Sequence, residues 1–244
     1  AVFANLAHNE NRILKISESL KAYNDRVKDH FANSNRFDGS NTQPFTQYVE
    51  GGSQTSIWGV PSLGIDPATG EEIFIRPDGS ITNTWNTNDQ VVLGDTEPKI
   101  QGTFGLNATY KNLSLYMTFM YEAGGQIYNS TLRDKVEDVN VYTSNVDKRV
   151  FSERWQEPGD KARYRKLTSG VGGSIMRTRP TSRFVEDNNV LTLNSISLGY
   201  DFDAGQKWMK TIGLSMLRFE IAGHLAGQIL KGGVVQQAVH DGIL

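Results

Sequence analysis

Three adjoining pieces of sequence decide the fold: Phe104-Gly105-Leu106-Asn107-Ala108-Thr109-Tyr110, the dipeptide Lys111-Asn112, and Leu113-Ser114-Leu115-Tyr116-Met117-Thr118-Phe119-Met120-Tyr121. In the first run the even positions are apolar and the odd ones small or polar. In the last, the odd positions form an unbroken apolar face. Successive side chains of a strand point to opposite sides, so alternation with period two marks a strand with one apolar face. Two such runs around a two-residue polar turn make an antiparallel β-hairpin. The quoted arms have seven and nine residues, close to the nine to eleven or so that a tilted strand needs to cross a bilayer.

A second pair lies downstream. Val190 to Phe202 reads as a long strand with Ile196, Leu198, Tyr200 and Phe202 on one face, although Leu191 and Leu193 fall on the other. Its partner runs from Leu214 to Ala222, with Leu217, Phe219 and Ile221 opposed to Arg218 and Glu220, and Asp203 to Gly213 forms the turn between them. Val2 to Ile16 is a weaker strand candidate, and Ser17-Glu18-Ser19-Leu20-Lys21 starts a short helix. Between the hairpins, Glu122 to Asn189 is a long polar segment expected to lack long regular structure. Unstructured connections of that length are uncommon in compact domains unless they serve a function. Short turns alternating with long polar loops suit an outer-membrane barrel. A soluble all-β fold with one long loop fits the periodicity equally well.

Composition narrows the classes. The 244 residues are 38% hydrophobic with a mean hydropathy of −0.44, and no run approaches the roughly eighteen apolar residues of a transmembrane helix. Barrel strands alternate and average out as polar, so that absence leaves a membrane barrel open. The net charge of −2 offers no electrostatic footprint for nucleic acid. Without cysteine there is no disulfide, thiolate metal site or cysteine nucleophile. Ala1-Val2-Phe3-Ala4-Asn5-Leu6 carries neither an initiator methionine nor a signal-peptide pattern, and is read as the middle of a longer chain.

Chemistry-bearing clusters are sparse. His8, His30, His224 and His240 lack ligand spacing, so no metal site is expected. Asp66, Asp78 and Asp89 lie in a glycine-rich stretch without the ligand alternation or closing glutamate of a calcium loop. Gly170 to Gly173 lacks the lysine and hydroxyl of a phosphate loop. Glu71 and Glu72 are adjacent, so on a strand they point apart and cannot face each other across a glycosidic bond. No catalytic residues and no cofactor are expected. The candidate ligand-binding residues are the loop aromatics Trp58, Trp85, Tyr142 and Trp155, since flat rings on loops suit sugars. Packing of the loops against one another, or an interfacial girdle, is the competing role for these rings. A secreted carbohydrate-binding β-domain and a glycosidase are the rival functions to a membrane transporter. The surroundings of Leu113, Leu115, Met117 and Phe119 discriminate them: lipid for a transporter, a second sheet for a soluble domain.

Several phrases carry a specific resemblance. They begin with Asn9-Glu10-Asn11-Arg12-Ile13. Tyr48-Val49-Glu50-Gly51-Gly52-Ser53 follows, leading to Gly64-Ile65-Asp66-Pro67-Ala68-Thr69-Gly70. Gly94 to Lys99 then precedes Tyr110-Lys111 and Gly124-Gly125-Gln126-Ile127-Tyr128-Asn129. After these come Arg154-Trp155 with Pro158-Gly159-Asp160, Ser182-Arg183-Phe184-Val185-Glu186-Asp187, and Leu217 to Gly223. In this order they resemble the late barrel of SusC/RagA-type TonB-dependent outer-membrane transporters. The resemblance implies an all-β fold: an antiparallel transmembrane barrel segment with short periplasmic turns and long extracellular loops. It implies a complete barrel of about twenty-two strands with a plugged lumen, of which residues 1–223 supply the C-terminal part. It further implies TonB-energised import of oligosaccharides or peptides through the outer membrane of a Gram-negative bacterium, in contact with lipid and lipopolysaccharide. A SusD-type lipoprotein partner is also implied.

The resemblance stops near Gly223. The family continues with a loop and a closing strand that ends in an aromatic residue, whereas residues 224–244 contain Gly227, Gly232 and Gly233 and end on Leu244. Codons for Gly227 to Gly233 read one base later can encode Asp-Arg-Phe-Ser-Lys-Val-Glu, close to the expected continuation. The tail is therefore expected to be frameshifted and to form no closing strand.

Overall fold

A computed structural model describes residues 1–34, 41–143, 145–167, 176–202, 207–223, 226–227 and 237–238. Along the chain run β1 (Val2–His8), α1 (Glu18–Asn33), β2 (Ser56–Gly59), β3 (Ser62–Ile65), β4 (Glu72–Ile75), β5 (Ile81–Thr82) and β6 (Val91–Asp95). Then follow β7 (Ile100–Tyr110), β8 (Leu113–Tyr128), α2 (Ser130–Leu132), α3 (Arg149–Ser152), β9 (Val185–Phe202), α4 (Lys207–Thr211) and β10 (Leu217–Gly223). Two compact units result: Ala1–Glu10, Pro98–Gly125 and Asp187–Leu244 form one, and Asn11–Glu97 with Gln126–Glu186 the other.

The first unit is a five-stranded antiparallel sheet in the order β1-β7-β8-β9-β10. The expected hairpin is present, with Tyr110 opposite Leu113 across the Lys111-Asn112 turn. Lys111 takes a left-handed backbone, φ 53°, to close it. The Asn112 amide donates to the Asp201 carbonyl at 2.6 Å, and the Asp201 N–H donates to the Asn112 carbonyl at 2.8 Å, tying the turn to β9. Register places Phe104 opposite Phe119, Leu106 opposite Met117 and Ala108 opposite Leu115, while Val2 and Ala4 of β1 oppose Leu106 and Phe104. Directly opposed residues share a face, so these side chains form one apolar side. Phe104 and Phe119 stack with centroids 5.1 Å apart. Such a cross-strand aromatic pair contributes about 0.2–1 kcal/mol. Where Gly102 leaves a gap, the Tyr121 ring crosses the strand and its hydroxyl donates to the Asn5 carbonyl at 3.1 Å. A Cβ at Gly102 would strike both groups.

The same division holds on β9 and β10. Leu217, Phe219 and Ile221 oppose Phe202, Tyr200 and Leu198. The alternate positions are polar: Arg218 reaches Ser114 Oγ at 3.1 Å, Glu220 at 3.2 Å and Asp201 at 3.6 Å, and Ser197 donates to Glu220. Neither face is a closed core. Tyr110 is 73% exposed, and Leu113, Phe104, Phe219 and Ile221 are also exposed, as is Tyr116 on the opposite side. A sandwich would have buried one of these faces against a second sheet.

Connectivity is asymmetric. The pairings His8 with Ile100 and Ile100 with Ala123 put the end of β1, the start of β7 and the end of β8 together. The connections 9–99 and 129–184 therefore both leave that end of the sheet. The two-residue turn lies at the other.

The structure corrects several boundaries. β1 stops at His8 rather than continuing to Ile16, β10 begins at Leu217 rather than Leu214, and part of the Asp203–Gly213 turn is the helix α4. Strands β8 and β9 extend into the segment expected to be loop, reaching Tyr128 and starting at Val185. The helix at Ser17 is not short: α1 has 16 residues, with the Ser17 hydroxyl accepting from the Leu20 N–H and Glu18 in the first turn, both favourable at an N-terminus. Only Val27 and Phe31 are buried on it, so its apolar stripe is two residues wide and gives little periodic signal. Most of the tail, including His224, His240 and the proposed frame change, lies outside the described residues, as does Gly170 to Gly173. Ala226–Gly227 pairs with Gln237–Ala238.

In the second unit, β2 pairs with β6, and β3, β4 and β5 form a small sheet. One apolar cluster joins Val27 and Phe31 of α1 to Val60, Phe74 and Trp85. A second gathers Leu132, Val136, Val139, Val150, Tyr164 and Phe184, all from the segment expected to be surface loop or its rim.

Candidate functional site

The second unit is held by charge as much as by apolar contact. After α2, the chain runs through a wide helical turn, Arg133–Glu137, whose backbone closes with the Asp138 N–H donating to the Arg133 carbonyl at 2.7 Å. This turn buries Arg133, Glu137 and Asp138 together. Glu137 Oε1 accepts from Arg183 at 2.8 Å and lies 3.2 Å from Arg165. Arg183 also grips Glu72 through two hydrogen bonds of 2.8 Å. Asp138 accepts from Arg165, from the Thr178 hydroxyl and from the Thr178 N–H, each at 2.8 Å. Burial alone would weaken the charge of Arg183. The carboxylates of Glu137 and Glu72 outweigh it and hold its pKa well above the usual value. Arg154 lies deeper and uses carbonyls instead, donating to Arg165 at 2.7 Å, to Glu137 at 2.9 Å and also to Val136. Burial pushes its pKa down.

The resemblance-bearing phrases dock on one another here. Trp155 Nε1 donates to the Pro67 carbonyl at 2.9 Å, and the Gly159 N–H donates to the same oxygen at 2.8 Å. The indole lies over Gly70, whose φ of 71° and crowded Cβ position both demand glycine. Asn11 receives Ser53 and the Gln54 N–H at 2.9 Å each, and donates to Glu97. Ile13 and the Gly51-Gly52 pair exchange backbone hydrogen bonds of 2.7 and 2.9 Å. These motifs are structural fastenings.

The four candidate aromatics are placed separately, with no ring contact between any two among the described residues. Trp85 is only 9% exposed: its Nε1 donates to the Pro180 carbonyl at 3.1 Å, Phe31 packs on it, and the Arg179 guanidinium lies 4.8 Å from its ring. Trp155 is committed to Gly70 and Pro67. Trp58 is half-buried on β2, with an indole N–H that meets no acceptor among the described residues. Tyr142, in the turn 141–143, is 81% exposed and is the one of the four that offers a free ring.

Glu71 and Glu72 do point apart, to Lys166 at 3.0 Å and to Arg183. Asp66 and Asp78 cap their own turns through Ala68 and Ser80, and Asp89 lies 3.8 Å from Arg76. Among the described residues no group of histidine, aspartate and glutamate has the arrangement of a metal site.

Beside the Arg133 turn opens a cleft of about 560 Å³, walled by Arg133, Lys135, Asn140, Asn145 and Arg177 among others. Its wall is more polar than apolar, so it suits a charged or hydroxyl-rich ligand. The run Arg133-Asp134-Lys135-Val136-Glu137-Asp138 was its only trace in the sequence, as a dense charge alternation within a loop.

No protein-family profile matches the chain. It is 23% identical over 227 residues to TonB-dependent receptor P3 of Formosa agariphila, covering 90% of this chain and 21% of that protein. It is 26% identical over 124 residues to TonB-dependent receptor P26 of the same organism, covering 51% and 12%. Among solved structures, the RagAB peptide transporter superposes with a TM-score of 0.68 at 19% identity, covering 94% of this chain and 23% of that one. The "closed-closed" state of the RagAB peptide importer gives 0.65 at 21% identity, covering 91% and 22%. The chain thus spans less than a quarter of each of these matched proteins.

Proposed function

We propose, from its likeness to TonB-dependent receptors of the SusC/RagA type, that this chain belongs to the barrel of an outer-membrane importer of oligosaccharides or peptides. Residues 1–223 supply the C-terminal part of that barrel, and 224–244 form an atypical tail. The sheet faces lipid with Leu106, Leu115, Met117 and Phe119 and faces the lumen with Ser114, Asp201 and Arg218. The protein resides in the outer membrane of a Gram-negative bacterium, surrounded by lipid and lipopolysaccharide. It carries out transport and no catalytic reaction of its own.

The observation that carries this reading is the exposed, continuous apolar face on a sheet whose two longest connections, 9–99 and 129–184, leave the same end. A soluble carbohydrate-binding β-domain would spend that face on a second sheet. Strands of 16 and 18 residues extend roughly 50–60 Å at the usual rise per residue, longer than a bilayer core requires even when tilted. Their surplus lies at the end from which the connections 9–99 and 129–184 leave, which is the extracellular end in this reading. TonB energises the transporter, and a SusD-type lipoprotein presents substrate to it.

The test is uptake. Cells lacking the gene that encodes this chain should lose import of a labelled oligosaccharide or peptide pool, and loss of TonB should mimic the deletion. Unchanged uptake in the deletion strain, or recovery of the protein in the soluble periplasmic fraction, overturns the reading.

A further inference from the structure

We propose that the cleft beside the Arg133 turn is a carboxylate-binding subsite, so that the substrate of this importer is acidic. The inference rests on the importer reading and adds the chemical class of the ligand.

Charge is distributed unevenly in the cleft wall. Its two carboxylates are already engaged: Asp134 accepts from Arg133 Nε and Nη2 at 3.1 and 2.6 Å, and Asp138 is taken by Arg165 and Thr178. Of its three cations, Arg133 is paired with Asp134, and the other two have no carboxylate among the described residues. Lys135 is exposed and forms no ion pair among the described residues. Arg177 donates to the Asp138 carbonyl at 3.2 Å and likewise has no carboxylate partner. A second observation points the same way. Arg133 is 1% exposed, and its remaining nitrogen, Nη1, is buried without an acceptor. A buried guanidinium donor left unsatisfied is costly, and guanidinium geometry matches a carboxylate. Asn140 and Asn145 add amide groups able to bond the hydroxyls or peptide groups that flank such a carboxylate. A neutral sugar would leave Lys135 and Arg177 uncompensated, whereas a uronate or an acidic side chain pairs with them.

The experiment uses the full-length receptor containing this chain, purified in detergent and titrated calorimetrically. One arm compares oligogalacturonate with its carboxyl-reduced, neutral counterpart. The other compares a glutamate-rich peptide with its glutamine counterpart. In one arm the acidic ligand should bind more tightly than the neutral one, with affinity that falls as salt rises. The double variant K135Q/R177Q should weaken acidic-ligand binding about tenfold or more while leaving the neutral ligand unchanged. The single variant K135Q, at an exposed side chain, should show part of that loss and guards against misfolding of the double variant. Equal affinity for acidic and neutral ligands in both arms, absence of binding, or wild-type affinity in K135Q overturns the proposal. The importer reading is judged separately, by whether the same receptor fractionates with the outer membrane.

Discussion

Glu137 shows why the second unit escapes a reading of hydrophobic pattern. Its side chain is fully buried, yet it is a carboxylate, and one oxygen serves both Arg183 and Arg165. A network of Glu72, Arg183, Glu137, Arg165 and Asp138 fills a core position where apolar residues are ordinarily expected. A polar stretch therefore looks like surface loop when it is interior. Removing Glu137 breaks two buried ion pairs at once, leaving Arg183 with Glu72 alone and Arg165 with Asp138 alone. Glu137→Ala should destabilise the unit by about 3–5 kcal/mol, read as a lowered unfolding midpoint of the full-length receptor in urea. Exposed pairs behave differently. The hydrogen bond from Arg149 depresses the carboxyl of Asp147 to about 2. Its folded pKa lies below its unfolded one, so its contribution is complete above the ordinary carboxylate range and is lost as pH falls through about 2. Asp147→Asn should therefore lower stability slightly at neutral pH, flatten its dependence on pH across that acid window, and match the unsubstituted protein below about pH 2, as read by urea midpoints across the pH range. The aromatics divide for the same reason. Trp85 and Trp155 look like loop rings in the sequence, but Pro180, Phe31, Pro67 and Gly70 claim them, and those partners lie far off along the chain. Only Tyr142 keeps the exposure a sugar platform needs.

At the scale of the element, the two hairpins were legible because a sheet with one apolar face and one polar face repeats every second residue over its whole length. Nothing in β7 or β8 has to compete with that rule, and Phe104 through Tyr121 pair in the register the alternation dictates. α1 was underestimated because its helix is capped by Ser17 and anchored by Val27 and Phe31 alone. The strands also outran their expected ends, since beyond the apolar alternation they continue on backbone pairing with no pattern to announce it. The two faces can be tested against each other. Phe119→Arg, on the apolar side of mid-strand, should cost about 2–4 kcal/mol in lipid, while Asn107→Arg, exposed on the polar side, should cost far less. Folding into vesicles, followed by the heat-dependent gel shift of barrels, measures both. Equal losses would mean that the sheet has no lipid side. Lys111 offers a smaller test: a left-handed lysine costs about 1–2 kcal/mol, so Lys111→Gly should relieve part of that cost and speed hairpin closure.

For the whole molecule, the arrangement of edges decides what the chain can do by itself. Among the described residues β1 and β10 bound the sheet, and each presents a row of backbone N–H and C=O groups on its outer side. Every residue of β1 is exposed, including Val2 and Leu6. In a complete barrel, neighbouring strands would take those groups, and lipid would take the apolar face. In water neither partner exists. Unpaired strand edges template pairing with other chains, and a contiguous apolar face of this kind drives association. The isolated 244-residue chain is therefore expected to aggregate in detergent-free buffer. In detergent the apolar face is covered but both edges remain, so oligomers joined edge to edge should persist. Light scattering coupled to size exclusion, with and without detergent, reads both outcomes. A monodisperse monomer in plain buffer with one cooperative unfolding transition would mean that the sheet satisfies its edges internally, and the barrel assignment would fall with it.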